Sequence, residues 1–268
     1  MQSRPPFVFF GPGSPLAENT LERATKLGWR AINCQDVDST SSALEVGRGT
    51  GCWVIDPGTH PIDAGRATET SFEAIERTLP LLTQGAQVIL VSSSHVFPGN
   101  RARTPVDAPR APLSDHGRRL VDLEDMVLAR GGAILRLGRV LNVADPLLTR
   151  WRNGLKEGVP VSPFAEGRCS PLTVEAAADA LFDALGTAPA VYQISGPDEV
   201  SYLEIAQRLC AAMGLPADRV VASSVTPSAL DLDDWPRHVS LEPTPNLLSG
   251  TTPTCDQVVD AAIKHLLA

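Results

Sequence analysis

Short, continuous apolar runs alternate with longer segments of helical spacing through the first half of the chain. The apolar runs are FVFFG (7–11), RAINC (30–34), CWVID (52–56), QVILVSS (87–93) and GAILRLGRV (132–140). Runs of this kind, without polar alternation, are typical of parallel strands that helices cover on both faces. The pattern therefore predicts an α/β fold with a doubly wound, Rossmann-like sheet, in which ligands sit at the carboxyl ends of the strands.

Apolar residues three or four positions apart predict the helices that accompany these strands. The predicted helices span 16–27, 68–82, 114–130, 173–185, 202–214 and 254–267. Further strands are expected at 191–195 and 219–225, and the Pro-, Ser- and Thr-rich stretch 226–253 is expected to be loop. We expect a Rossmann-like core over residues 1–141, joined by elements that return from the C-terminal half, and a small α/β substrate-binding lobe mainly over 142–268.

The composition limits the classes of partner. The 268 residues carry a formal net charge of -8, which disfavours a nucleic-acid or anionic-membrane surface, since both need clustered Lys and Arg. No apolar run is long enough to span a bilayer, and the N-terminal sequence lacks the features of a secretory signal. The five cysteines are scattered without a C-x-x-C pair, so we expect neither a disulfide framework nor a zinc ribbon. The expectation is a soluble cytoplasmic protein that binds a small molecule.

Several longer motifs occur in a fixed order along the chain. They are ILVSSSHVFPG (89–99), APLSDHGR (111–118), ILRLGRVL (134–141), RCSPLTVEAAADAL (168–181), VYQISGPDEVSYLEIAQRL (191–209) and WPRHVSLEPTPNL (235–247). In this order and spacing they resemble the extended short-chain dehydrogenase/reductase superfamily, and within it the dTDP-4-dehydrorhamnose reductase-like group of sugar-nucleotide proteins. The resemblance spans nearly the whole chain and implies the same Rossmann-like fold.

The resemblance also implies where a redox site would lie. Such reductases use a tyrosine as proton donor and a lysine four residues later to hold the nicotinamide ribose. In this sequence the tyrosine position is His116 and the lysine position is Leu120, while the helper serine is kept as Ser93. The position of the active-site asparagine is Ala74. The comparison therefore predicts a degenerate site that no longer transfers hydride.

The turn after the first strand departs from the family in a similar way. The family motif places three glycines there, because side chains would keep the cofactor diphosphate from the helix N-terminus. Gly11 matches and Gly13 adds freedom, but Ser14 and Ala17 replace the later glycines, and Pro15 removes an amide donor. We therefore expect a vestigial site and no cofactor, with weak NAD(P) binding as the alternative.

Three of the five histidines fall at positions that face the site in the family. They are His60, His95 and His116. Because imidazole can donate or accept a proton near neutral pH, we expect His116 to act as a general acid/base with Ser93 and His95, in a proton-transfer, elimination or cyclisation reaction. A zinc site built from the three imidazoles is the less favoured alternative, because no H-x-H or H-x-x-x-H spacing is present; we expect no metal. Each histidine is equally compatible with a polar position in a surface loop.

Two arginines are candidates for substrate binding together with His60. Arg168 and Arg237 lie in segments that help cover the substrate diphosphate in sugar-nucleotide relatives, and arginine binds such groups through paired hydrogen bonds. Surface salt bridges on an acidic protein are the alternative for both residues. The prediction is an anionic small-molecule substrate.

Three functions remain open at this point. The leading one is a non-redox enzyme of biosynthetic small-molecule metabolism. A non-catalytic binding or regulatory subunit is the second, because the lysine and the asparagine have no evident substitutes. The third is an NAD(P)-dependent reductase or epimerase that uses His116 in place of the tyrosine. By analogy with extended reductases, a homodimer is expected.

Overall fold

A computed structural model describes residues 5–35, 51–58, 69–142, 145–223, 236–245, 247 and 252–268. The strands in these residues are β1 (Pro6–Phe10), β2 (Arg30–Cys34), β3 (Cys52–Ile55), β4 (Gln87–Ser93), β5 (Ala133–Leu137), β6 (Arg168–Cys169), β7 (Val191–Ile194) and β8 (Val200–Ser201). The helices are α1 (Pro15–Lys26), α2 (Glu69–Thr78), α3 (Asp115–Ala129), α4 (Pro146–Lys156), α5 (Val174–Leu185), α6 (Tyr202–Ala212) and α7 (Cys255–Leu267). Short 3₁₀ turns span Leu79–Leu81, Ser94–Val96 and Ala217–Arg219.

The main sheet has six parallel strands in the order β2-β1-β3-β4-β5-β7. From β1 the chain first adds β2 on one side and then adds β3 on the other, so the strand order reverses between β1 and β3. This arrangement confirms the predicted doubly wound α/β sheet. Strands β6 and β8 form a separate antiparallel pair in the C-terminal region.

The strands are apolar along their whole length because both faces of the sheet are covered. On one face Phe7 and Phe9 of β1 belong to a cluster that includes residues of α1 and α5. On the other face Val8 and Phe10 belong to a cluster that includes residues of α2 and α3. A third cluster, centred on Trp151 and its neighbours in α4, α6 and α7, forms the core of the C-terminal region.

Two predictions from the C-terminal half need correction. Helix α4 was not expected, although its signals are present: Asp145 caps it by accepting a hydrogen bond from the Leu148 amide (3.0 Å), and Pro146 takes the first turn. The strand expected at 219–225 is wrong for the residues described, since Ala217–Arg219 forms a 3₁₀ turn and Val220 and Ser223 make only single bridges. The valines there were mistaken for a regular strand.

A buried carboxylate ties α3 to the sheet. Both oxygens of Glu124 are fully enclosed: Ser92 of β4 donates to Oε1 (2.7 Å), and Arg136 of β5 donates to Oε1 and Oε2 (2.9 and 2.7 Å). Arg110 adds a bond to Oε2 (3.2 Å). Removing one member of such a buried pair leaves its partner charged and unpaired, which costs about 3–5 kcal/mol.

We therefore expect Glu124→Ala to lower the free energy of unfolding by about 3–5 kcal/mol, measured by urea denaturation at pH 7. Asp125→Ala is the matched control, because Asp125 bonds the same Arg110 but is exposed, and such a pair contributes less than about 1 kcal/mol. Equal losses in the two variants would contradict the role assigned to Glu124.

Candidate active site

The end of β4 and the turn that follows it form one side of the candidate site. Ser93 is the last residue of β4, and its hydroxyl accepts a hydrogen bond from the His95 amide (3.2 Å). This bond starts the 3₁₀ turn Ser94–Val96, and both Ser93 and His95 are buried. Ser93 therefore fixes the position of the His95 backbone.

The first turn of α3 supplies His116 on the opposite side. Ser114 caps the helix by accepting a hydrogen bond from the Gly117 amide (3.2 Å). Gly117 lies directly against the carbonyl oxygen of His95, where a Cβ atom would collide. Because of this close approach, the centroids of the His95 and His116 imidazole rings lie 6.3 Å apart, at an interplanar angle of 83°.

His116 sits in apolar surroundings. Its ring meets the ring of Phe72 edge-on, with centroids 5.5 Å apart, and the guanidinium of Arg119 lies 4.6 Å from the Phe72 centroid. Arg119 also pairs with Glu76 (3.5 Å). Within the part of the chain that the structure describes, the buried Nε2 of His116 has no hydrogen-bond partner. A buried polar atom without a partner is costly, so this nitrogen is available to a hydrogen-bonding group of a ligand.

Both imidazoles are held in the neutral form. Burial, assisted by the charges of His116 and Arg139, lowers the pKa of His95 to about 3. Burial and the nearby charge of Arg119 lower the pKa of His116 to about 4. A neutral imidazole has one nitrogen that donates and one that accepts, so at pH 7 each ring can both donate and accept a hydrogen bond.

The positions aligned with the reductase lysine and asparagine contribute packing. Leu120 is 0% exposed and belongs to the cluster between the sheet and the helices α2 and α3. Ala74 of α2 is buried in the same cluster. Neither residue brings a charge or a hydrogen bond to the site.

The turn after β1 is closed by contacts within the protein. Gly11 lies so close to the carbonyl oxygen of Asp56 that a Cβ atom would collide with it, and its amide donates to Cys34 (3.0 Å). Gly13 is exposed, and a Cβ atom there would meet only the Gln35 side chain, at 3.1 Å. Gly11 is therefore required by the packing of β1 against β3, whether or not a ligand is bound.

Ser14 acts as the cap of α1. Its hydroxyl accepts from the Ala17 amide (3.1 Å), its carbonyl accepts from the Glu18 amide (3.0 Å), and Pro15 has no amide to offer. A diphosphate at this helix end would have to compete with the Ser14 hydroxyl for the Ala17 amide. The turn fits a dinucleotide poorly.

The arginines predicted to bind substrate are each paired with an acid. Arg168 lies 3.5 Å from Glu199, and Arg237 lies 3.0 Å from Glu166. The two arginines are joined through their backbones, since the Arg168 amide donates to the Arg237 carbonyl (2.7 Å). His60 lies outside the described residues.

One charged residue near the site was missed. Arg139 follows β5, is buried, and pairs with the buried Asp145. Its signal in the sequence is a charge directly after a buried strand, in GRVL, which points to the carboxyl edge of the sheet. Among the residues that the structure describes, no group of three or more His, Cys, Asp or Glu is placed to hold a metal ion, and no helix is long and apolar enough to cross a membrane.

Solved structures share this fold over the full length of the chain. A dTDP-4-dehydrorhamnose reductase from Bacillus anthracis in complex with NADP is 14% identical, with a TM-score of 0.76 and coverage of 97% of this chain and 99% of that one. MoeE5 in complex with UDP-glucose and NAD is 17% identical, with a TM-score of 0.75 and coverage of 97% and 98%. A UDP-glucuronic acid 4-epimerase variant from Bacillus cereus, bound to a fluorinated UDP-glucuronic acid and NAD, is 14% identical, with a TM-score of 0.74 and coverage of 97% and 98%.

These matches confirm the predicted Rossmann-like α/β fold, which the chain shares with the sugar-nucleotide enzymes named above. No protein-family model and no curated protein matches the sequence. At identities of this size the likeness establishes the fold alone.

The lowered histidine pKa values predict how stability changes with pH. In the unfolded chain a histidine takes up a proton as the pH falls below about 6.5, whereas folded His95 resists protonation down to a pKa of about 3. Stability from the neutral ring is therefore complete above about pH 6.5 and is lost as the pH falls below it. The loss reaches about 1.4 kcal/mol per pH unit for one fully shifted group.

We expect the free energy of unfolding of His95→Gln to fall less steeply than that of the wild type between pH 6.5 and 5, by up to about 1.4 kcal/mol per pH unit. Urea denaturation at several pH values measures this difference. His265→Gln, a change at an exposed position of α7, is the control and should follow the wild type. Parallel pH profiles for His95→Gln and the wild type would contradict the lowered pKa of His95.

Proposed function

We propose that this protein is a non-redox enzyme of biosynthetic small-molecule metabolism, and that His116 is its general acid/base. The observation that carries the proposal is the buried, unpartnered Nε2 of His116 beside the neutral ring of His95, within the described residues. At pH 7 the neutral ring of His116 can accept a proton from a substrate, and its pKa of about 4 makes it a weaker base than an exposed imidazole. The reaction class is elimination, isomerisation or cyclisation.

Loss of hydride transfer is part of the proposal. Leu120 is a core residue at the position where a lysine would hold the nicotinamide ribose, and His116 stands in place of the tyrosine. At the turn after β1, where the diphosphate of a dinucleotide would lie, Ser14 and Pro15 leave few amides of α1 free to bind it.

Arginines of the C-terminal region and the ligands of the similar solved structures support one class of substrate. We propose that residues 142–268 form mainly a substrate-binding lobe and that Arg168 and Arg237 meet an anionic group, as in a sugar nucleotide. The MoeE5 structure holds UDP-glucose, which supports this class. An incoming phosphate would take each guanidinium from its present carboxylate, Glu199 or Glu166. The exchange costs little at the exposed pair of Arg237 and Glu166, whereas Glu199 is 15% exposed and would keep its bonds from His238 and Ser240.

The cofactor part of the proposal is tested by calorimetric titration of NADPH and NADH into the purified protein. We expect no binding up to millimolar cofactor, because the amide needed by the diphosphate is engaged by Ser14. Ser14→Gly, which frees that amide, is the matched variant and should bind the cofactor more tightly than the wild type. Micromolar binding to the wild type would instead support an NAD(P)-dependent reductase or epimerase.

The acid/base part is tested with 5-nitrobenzisoxazole, whose ring opening needs only a base that removes a proton from carbon in an apolar site. A positioned general base contributes about 10²–10⁴-fold to rate. We expect His116→Ala to lower kcat/KM for this probe at least 10-fold, at the low end of that range, while His265→Ala leaves it unchanged. Full activity in His116→Ala would refute the role of His116 and favour a non-catalytic binding protein.

A further inference from the structure

Another histidine, His238, lies in the C-terminal region, and a carboxylate holds its ring in place. Nδ1 of His238 lies 3.2 Å from Oε1 of Glu199. The side chain of His238 is 23% exposed, so its ring is accessible from one side, whereas that of Glu199 is 15% exposed. Because the carboxylate accepts from Nδ1–H, the lone pair of the neutral ring is placed on Nε2.

Glu199 is itself fixed in place. The Ser240 hydroxyl donates to the same oxygen, Oε1, and the Arg168 guanidinium lies 3.5 Å from Oε2. Glu199 also directly precedes β8, which pairs with β6. With its carboxylate held from three sides, Glu199 sets both the tautomer and the orientation of the His238 ring, as a carboxylate does in a catalytic triad.

The segment that carries His238 joins the two parts of the molecule. The His238 amide donates to the Gly99 carbonyl (2.9 Å), four residues after His95, and the Val239 amide donates to Arg168 of β6 (3.1 Å). Val239 is buried in the C-terminal core, so the alternating side chains of His238 and Ser240 share the side that bears Glu199. His238 is thus tied both to the loop that follows the His95 turn and to the small sheet.

We propose that His238 is a catalytic acid/base residue that meets the substrate from the C-terminal region, and that Glu199 is its positioning residue. Nε2 takes a proton from an O–H or C–H group, and the electron pair of that bond stays on the substrate. The imidazolium so formed keeps its Nδ1–H on the Glu199 carboxylate, and the proton returns from Nε2 to the product or to water. This role does not require His116 to be catalytic.

The positioning is tested by chemical modification, which needs no knowledge of the substrate. The full-length protein is treated with diethyl pyrocarbonate at pH 8, and the rate constant at each histidine is read by peptide mass spectrometry. A carboxylate on Nδ1 makes Nε2 more basic and more nucleophilic. We expect Glu199→Gln to slow the modification of His238 about threefold or more, while the rate at exposed His265 is unchanged.

Two variants separate positioning from a general loss of structure. Arg168→Gln removes one of the groups that hold Glu199 but keeps the bond between Glu199 and His238, so it should slow the modification of His238 less than Glu199→Gln does. Glu199→Asp keeps a carboxylate and should recover part of the rate. Thermal melting checks that each variant is folded. An unchanged His238 rate in folded Glu199→Gln would overturn the proposed positioning.

The catalytic role is tested with 5-nitrobenzisoxazole. Only one base removes the proton of this probe, so the loss of kcat falls on one of the two histidines. If His238 is that base, His238→Gln lowers kcat at least 10-fold with little change in KM and His116→Ala does not, whereas a folded His238→Gln variant at wild-type kcat would overturn the proposal. Loss of activity in His238→Gln but not in His116→Ala would place the base at His238 and refute the role of His116. The opposite pattern would refute this inference and keep the function proposed for His116.

Discussion

The buried carboxylate of Glu124 determines where α3 stands on the sheet, and the candidate site depends on that position. Glu124 bonds Ser92, the residue before Ser93, and Arg136 on the next strand. The same helix carries His116 two turns earlier, so one ionic contact sets the separation between β4 and His116. Charges enclosed in this way favour a single arrangement, because any shift would leave a charge without a partner.

Close packing of α3 against the turn after β4 then brings the residues of the candidate site together. Gly117 allows α3 to approach the His95 carbonyl, and Ser93 and Ser114 cap the two turns that face each other. The result is a pair of imidazoles at the contact between α3 and β4, and burial is the first cause of their lowered pKa values. The fold and the acid/base chemistry proposed for it thus share a physical basis, the exclusion of solvent at the carboxyl edge of the sheet.

The sequence predicted the parts of the fold that depend on local pattern. Runs such as QVILVSS could be assigned to buried parallel strands, since only strands covered on both faces lack polar alternation. Helix α4 was overlooked, although Leu147, Trp151 and Leu155 have the spacing of a helix. The stretch 219–223 does have a partner, since it exchanges backbone hydrogen bonds with 161–165, but it forms a 3₁₀ turn and isolated bridges in place of a regular strand, which is a property of the tertiary structure.

Some features of the candidate site could likewise be predicted from the sequence, and others could not. The resemblance placed His95 and His116 near each other, and the structure brings their rings to 6.3 Å. The partners of the arginines were not predictable, because pairs such as Arg168 with Glu199 join residues far apart in the chain. The same holds for Arg139, whose buried charge acts on His95 only after the chain has folded.

A buried polar atom without a partner opposes folding, by about 1–3 kcal/mol for one group. Within the described residues the Nε2 of His116 is such an atom, and it lies beside a second ring whose neutral form is favoured by burial. The core around it, with Leu120 and Phe72, is otherwise well satisfied by apolar contacts. A ligand that supplies the missing hydrogen bond would recover this free energy on binding, which is the physical basis of the role proposed for His116.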